Sequence, residues 1–342
     1  MPTDKKPAAK ARLRVADAPS VLATYLPEGL PSLDNPQTAL PGIARELSLV
    51  ARIEEGVHRI PTSHTICLMD SRQTWAVPDE SVHLVVTSPP YWTLKEYRET
   101  PGQLGHIAGY DEFLAQLDLV WQRAFAALIP GGRLVCVVGD VCLSRRRNGG
   151  RHTVVPLHSS IQERCRAIGF DNLAPIIWYK IANANYEVEN GSGFLGKPYE
   201  PNAVIKNDIE YILMLRKSGG YRAPSLAERV LSVISSENYQ QWFQQIWSGL
   251  TGASTRNHPA PFPVELAMRL VRMFSFVGDT VVDPFMGTGT TNLAAATWGR
   301  NSIGFEIDPH YFALAQNRLA AAAADLFGKT SIRTVDRSRE TS

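Results

Sequence analysis

The chain has 342 residues, 44% hydrophobic and 20% charged, with a formal net charge of +2, which reads as an ordinary soluble globular protein of one large α/β domain or two small ones. A balance this close to neutral means that any surface for a nucleic acid is local, and no apolar run approaches the roughly 18 residues of a membrane span. The basic N-terminus lacks the apolar core of a secretory signal, and the four cysteines (Cys67, Cys136, Cys142, Cys165) lack metal-ligand spacing, so no metal is expected and free thiols fit a reducing cytoplasm.

Residues 1–20, rich in Lys, Ala, Pro and Arg, are expected to form a flexible basic tail. A short helical pattern around Ile43 to Ile53 follows, but residues 21–60 carry no legible function. Thr65 to Met69 reads as a strand ending at Asp70-Ser71, where Asp70 suits a helix N-cap. The apolar run Leu84-Val85-Val86 reads as a buried strand that closes in Thr87-Ser88-Pro89-Pro90-Tyr91-Trp92. Two consecutive prolines fix the backbone and remove two N–H donors, which leaves carbonyls free to accept hydrogen bonds from something else. Ser88 adds a hydroxyl acceptor, and Tyr91 and Trp92 add flat apolar faces. Such a pocket suits a planar base with an exocyclic amine. Two acceptors on the amine hydrogens would draw it toward tetrahedral geometry and free its lone pair for attack.

Asp111 is expected to cap a helix with Leu114, Leu117, Val120, Trp121, Ala124 and Leu128 on one face, ended by Pro130-Gly131-Gly132. A strand from Arg133 to Gly139 ends in Asp140 and leads into a loop holding Arg145, Arg146, Arg147 and Arg151. These four arginines either grip phosphates or form a solvated loop. A helix over 154–168 and a strand over 174–179 precede a loop at 181–207, long enough to be functional. After a strand at 209–215, residues 218–257 hold Tyr221, Arg222, Tyr239, Trp242, Trp247 and Arg256 without simple alternation. They read either as a recognition region for base edges or as a helical cover for the sheet. His258 then leads into a helix with Leu266, Leu270, Val271 and Phe274 on one face, and is either a ligand or structural.

Val281-Val282-Asp283-Pro284-Phe285-Met286-Gly287-Thr288-Gly289-Thr290-Thr291 is a strand, a Gly-x-Gly turn and a helix start. Glycines let the backbone approach a ligand closely, and a helix N-terminus favours negative groups. The next strand, Asn301 to Phe305, ends in Glu306, an acid suited to ribose hydroxyls, and Asp308-Pro309 open a final helix.

From about Thr65 to Leu319 the chain resembles the DNA amino-methyltransferases that use S-adenosylmethionine, in the permuted group whose catalytic motif precedes the cofactor motif. The resemblance implies cofactor contacts from Asp70, Asp283, Phe285, Gly287, Gly289, Thr290, Glu306 and His258, although Met69 stands where the family usually has glycine. Asp70 would meet the adenine. Ser88, Pro89, Pro90 and Tyr91 would be the catalytic residues, with a flipped base stacked on Tyr91. Within the family Ser-Pro-Pro-Tyr is typical of cytosine-N4 enzymes, and Asp- or Asn-Pro-Pro-Tyr of adenine-N6 enzymes. The variable target-recognition region would lie at 218–257, with Arg145, Arg146, Arg147, Arg151, Arg222 and Arg256 on double-stranded DNA. A cognate restriction endonuclease is a candidate partner, and the protein a monomer or homodimer.

Seven strands alternating with helices argue for a doubly wound, mostly parallel Rossmann-like α/β sheet in one domain over 21–330, with a flexible tail at 331–342. Ser88, Asp70, Asp283 and Glu306 all fall at predicted strand ends, where such sheets bind ligands. The rival readings are adenine-N6 methylation on the same fold and a catalytically silent DNA-binding relative.

Overall fold

The computed structural model describes residues 21–95, 97–180, 207–250, 252, 262–325 and 330–338. The expected tail at 1–20, most of the 181–207 loop, Arg256 and His258 lie outside the described residues, as does the side chain of Arg147.

Val82–Thr87 forms β2, whose residues are buried apart from His83. A strand apolar on both faces must be covered on both, which is the environment of a central parallel strand. β2 lies between β9 (Thr280–Asp283) and β3 (Leu128–Val138), parallel to each. Beyond β9 come β10 (Asn301–Glu306), β1 (Ser63–Leu68) and β11 (Ser331–Asp336), all parallel. Beyond β3 come β7 (Ile209–Lys217), β6 (Phe170–Tyr179) and β8 (Ile246–Trp247). β7 runs antiparallel to both of its neighbours. The short strands β4 (Val141–Leu143) and β5 (Thr153–Val155) make a separate hairpin.

Side chains of β2 alternate between two cores. Val85 packs with α3 (Tyr110–Ala127) and α4 (Leu157–Ile168) on one face. Leu84 and Val86 pack with α7 (Val264–Phe274) and α8 (Thr290–Thr297) on the other. On that second side Phe312, Ala315 and Leu319 of α9 (Pro309–Asp325) cover Ile66 and Leu68 of β1. A third cluster joins α1 (Pro36–Arg45) and α2 (Leu47–Val57) to Val230 and Leu231 of α5 (Leu226–Leu231). Val230 and Leu231 therefore belong to the structural cover, as do the buried Trp242 of α6 (Ser236–Trp242) and Trp247.

The mixed, mostly parallel sheet is the expected doubly wound fold, and its differences from expectation have local causes. The main sheet has nine strands among the described residues, where seven were read. Ser331–Asp336 is a strand on β1, which corrects the flexible tail expected at 331–342. It was illegible because an edge strand with mostly exposed side chains carries no apolar run. Gly109, not Asp111, occupies the N-cap of α3, and Asp111 sits in the first turn, where a carboxylate favours the helix dipole. β3 starts at Leu128, with an irregularity in its pairing before Arg133 that takes up the Pro-Gly-Gly stretch. The helix read from Val154 begins at Leu157, because Thr153–Val155 pairs with β4.

Within 218–257, Arg222 departs from the expected DNA contact. Because β7 is antiparallel, its last residue lies at the amino end of the parallel strands, away from Ser88. Arg222 is 2.5 Å from the Asp279 carboxylate just before β9 and lies over the Phe276 ring. It is a structural ion pair at the wrong end of the sheet to read a base at the catalytic edge.

Candidate active site

The chain steps from β9 to β10 on one side of the β9–β2 junction and from β2 to β3 on the other, and such a switch point opens a crevice at the carboxyl ends of the strands. Here it is a cleft lined by Asp70, Ser88, Pro90, Phe285, Glu306 and Tyr311, among others. Asp70, Ser88 and Glu306, at three strand ends distant in sequence, line this cleft, and Asp283 lies buried behind it, next to the lining residues Pro284 and Phe285.

Asp283 ends β9 beside Thr87, which ends β2. Its Oδ1 accepts from the Thr87 hydroxyl at 2.7 Å and from the Phe285 N–H at 3.0 Å. Its Oδ2 is buried with no hydrogen-bond partner. Burial pushes the carboxyl up to about 6, opposed by the Thr87 hydroxyl, the nearby Thr291 hydroxyl and the Phe285 N–H. An orphaned buried carboxylate oxygen costs free energy unless a donor arrives, and a cationic donor suits it best.

The turn after Asp283 needs its glycines for different reasons. Gly287 and Gly289 have φ of 54° and 78°, in the left-handed region that favours glycine. Gly287 donates its N–H to Glu306 Oε2 at 2.8 Å, and the Asp308 N–H donates to Oε1 at 2.9 Å. Each Glu306 oxygen keeps a second lone pair. Burial pushes Glu306 up to about 7, the two backbone donors opposing it. Gly289 caps α8, and a Cβ there would come within 3.2 Å of Ala315 on α9. The Thr290 hydroxyl accepts from Arg318 at 3.0 Å. Gly289 and Thr290 therefore face α9, and of this turn Pro284 and Phe285 reach the cleft. On the far side Arg72 holds Asp70 at 2.5 Å and also donates to the Gly102 carbonyl at 2.9 Å.

The unpartnered oxygen of Asp283 fits an ammonium group, and the free lone pairs of Glu306 fit vicinal hydroxyls. S-adenosylmethionine carries both, so the residues present suit it.

At the catalytic stretch, Ser88 lines the cleft. Tyr91 is only 4% exposed, which differs from the expected open stacking face. Its ring packs inward and its hydroxyl donates to Glu210 Oε2 at 3.2 Å. Trp92 follows with φ of 47°, unusual for a bulky residue, and its indole N–H donates to the Ile107 carbonyl. Glu210 and Lys180, paired at 2.5 Å, were missed by sequence reasoning. The signal was present: Glu210 is a lone charge near the start of the apolar run over Ile209–Leu215. Arg145, Arg146 and Arg151 are exposed in the loop of the β4–β5 hairpin, which follows the carboxyl end of β3. Lys180 and Asn207 lie on this rim too, where the Lys180 N–H donates to Asp208 and the Asn207 side chain to the Asp140 carbonyl. Among the described residues no helix is long and apolar enough to cross a membrane.

Residues 82–317 match a family model described as DNA methylase, for the N6/N4 methyltransferases. The chain is 38% identical over 278 residues to the type II methyltransferase M.MjaI of Methanocaldococcus jannaschii, covering 73% of this chain and 88% of that one. It is 35% identical to the type II methyltransferase M.MthZI of Methanothermobacter thermautotrophicus, covering 75% and 77%. Among solved structures it is similar to TTHA0409 of Thermus thermophilus, assigned as a DNA modification methylase and solved with S-adenosyl-L-methionine. That match has a TM-score of 0.66 and 49% identity, covering 81% of this chain and 100% of the other. The cytosine-N4-specific PvuII DNA methyltransferase, at 20% identity and a TM-score of 0.53, shares the fold.

Proposed function

The chain belongs to the N6/N4 DNA methylase family, whose cofactor is S-adenosylmethionine, and from that premise we propose that it methylates the exocyclic N4 amine of cytosine in duplex DNA after flipping the base from the helix. The observation that carries the reading is Ser88 at the head of Ser-Pro-Pro-Tyr, lining the same cleft as Glu306, with the unpartnered oxygen of Asp283 at the neighbouring strand end. A hydroxyl there accepts from an amine, and the Pro89 carbonyl accepts from its second hydrogen. Bound in the cleft, the cofactor supplies a methyl group on a cationic sulfur that leaves as a neutral thioether. Asp283 would hold the amino group and Glu306 the ribose hydroxyls, so that positioning supplies most of the rate.

Ring-carbon methylation, which needs a cysteine nucleophile, is disfavoured. No cysteine lies in the catalytic stretch, and burial pushes the thiols of Cys67, Cys136 and Cys165 up, which keeps them protonated. The similarity to type II methyltransferases supports a cognate restriction endonuclease as partner. Sequencing DNA from cells expressing the protein, with chemistry that separates N4-methylcytosine from N6-methyladenine, tests the reading. Methylated adenine at a fixed site would replace it.

Cofactor binding should depend on pH with a defined sign. Both acids have folded values above their ordinary ones, about 6 for Asp283 and about 7 for Glu306. Their contribution to the stability of the free protein is therefore complete at acidic pH, below their ordinary range, and is lost as pH rises through 6 and 7. The cofactor's donors need the ionised forms, so the thermal shift it produces should grow across that same window. Glu306→Ala should weaken binding by about 1–3 kcal/mol, the loss of hydrogen bonds to a charged group. Calorimetry on the variant and a thermal-shift series in pH check both, and a flat series contradicts the assignment.

The exposed arginines of the loop after β4 are assigned to phosphates. Replacing Arg145, Arg146 and Arg147 with Ala should weaken cognate and scrambled duplexes alike, and lower the log–log salt slope by about 0.9 per lost contact. A salt titration showing an unchanged slope would remove them from the interface.

A further inference from the structure

The Tyr91 hydroxyl has three polar neighbours: Ser88 Oγ at 3.2 Å, Glu210 Oε2 at 3.2 Å and the Val137 carbonyl at 3.4 Å. A carboxylate and a carbonyl can only accept. A phenol has one hydrogen, and the nearer, charged acceptor takes it. Of these three neighbours only Ser88 can then donate to the Tyr91 oxygen. The Ser88 hydrogen therefore points inward and its lone pairs face the cleft. Lys180, on the rim, closes the far end of the chain, 2.5 Å from the other Glu210 oxygen. Gly139 allows this closeness: a Cβ there would lie 3.3 Å from both Glu210 Cγ and Tyr91 Cε2. Tyr91 is 4% exposed and Val137 fully buried, so bulk water does not reach the phenol from within the protein.

We propose that Ser88, Tyr91 and Glu210 form a proton relay, in which Glu210 takes up the proton that the target amine loses on methylation. This rests on the methyl-transfer reading above. As the amine nitrogen's lone pair bonds to the methyl carbon, the carbon–sulfur bond breaks with its electron pair going to sulfur, and an N–H bond breaks with its pair returning to nitrogen. The proton passes to Ser88 Oγ, the Ser88 proton to the Tyr91 oxygen, and the Tyr91 proton to Glu210 Oε2. Ser88 and Tyr91 end as neutral hydroxyls and Glu210 as a carboxylic acid. An aromatic amine being alkylated is a strong acid, so a carboxylate is a sufficient base. Ser88 is the catalytic residue here, and Tyr91 and Glu210 are positioning residues that act through it.

Glu210→Gln keeps an acceptor for Tyr91 but cannot take a proton. Its single-turnover rate should fall by about 10²-fold or more, the usual contribution of a positioned proton acceptor. Cofactor affinity by calorimetry, and base flipping by 2-aminopurine fluorescence at the target position, should stay within about twofold, since the relay acts only in the transfer step. Tyr91→Phe should show the same split, and the double variant should be no slower than either single one, because the three groups act as a unit. The proton inventory in mixed heavy water should be bowed for the wild type and linear for Glu210→Gln. A Glu210→Gln rate within twofold of wild type overturns the relay. So does parallel loss of cofactor binding and flipping in both single variants, or additive losses in the double one. A wild type that methylates adenine instead would overturn the cytosine reading and leave this test standing, since either exocyclic amine sheds the same proton.

Discussion

Ser88→Ala is expected to slow methyl transfer by about 10²–10³-fold, the loss seen when one preorganised hydrogen-bonding group is removed from a reacting centre. The interaction strengthens as the amine pyramidalises, so the loss belongs in the transfer step and not in binding. Within the protein Ser88 Oγ donates to the Tyr91 hydroxyl at 3.2 Å, a long hydrogen bond at the cleft wall, so removing it disturbs little of the fold. Single-turnover kinetics should thus show the full drop while calorimetry finds ordinary cofactor affinity. A variant with wild-type turnover on duplex substrate would take Ser88 out of the mechanism.

Asp283→Asn is expected to weaken cofactor binding by about 2–5 kcal/mol, which is the cost of removing one partner of a buried charge pair. Asn retains an oxygen for the Thr87 hydroxyl and the Phe285 N–H, so the turn keeps its internal bonds. What changes is the orphaned oxygen, which becomes an NH2 group facing a cationic ligand. The free variant should also lose the destabilisation that builds as pH rises toward about 6, because it has no buried carboxylate to ionise. Calorimetry gives the first result and a thermal series in pH the second. Affinity within threefold of wild type in a folded variant would contradict the role given to Asp283.

The sheet and the cofactor turn were legible because their signals are local. Leu84-Val85-Val86 and Val281-Val282 are apolar runs closed by Pro or Gly, and the strands form where they were read. Convergence of Asp70, Ser88, Asp283 and Glu306 followed from a general property of doubly wound sheets. What stayed hidden depends on strand direction and long-range pairing. Placing Arg222 on DNA overlooked that an antiparallel β7 delivers it to the opposite end of the sheet. Glu210, at the start of the same strand, is brought to Tyr91 by that reversal, 119 positions away in sequence. Tyr91 itself looked like a stacking platform because its identity was visible and its burial was not. β11 was read as a frayed tail because an edge strand with one shared side needs no continuous apolar pattern.

Incubating the purified protein with labelled S-adenosylmethionine and genomic duplex, then digesting the DNA to nucleosides for mass spectrometry, tests the central claim most directly. The label is expected as N4-methylcytosine, with Ser88→Ala slowing its appearance by the same factor of about 10²–10³. Label recovered as N6-methyladenine or 5-methylcytosine, or no transfer by a protein that binds the cofactor, would contradict that claim.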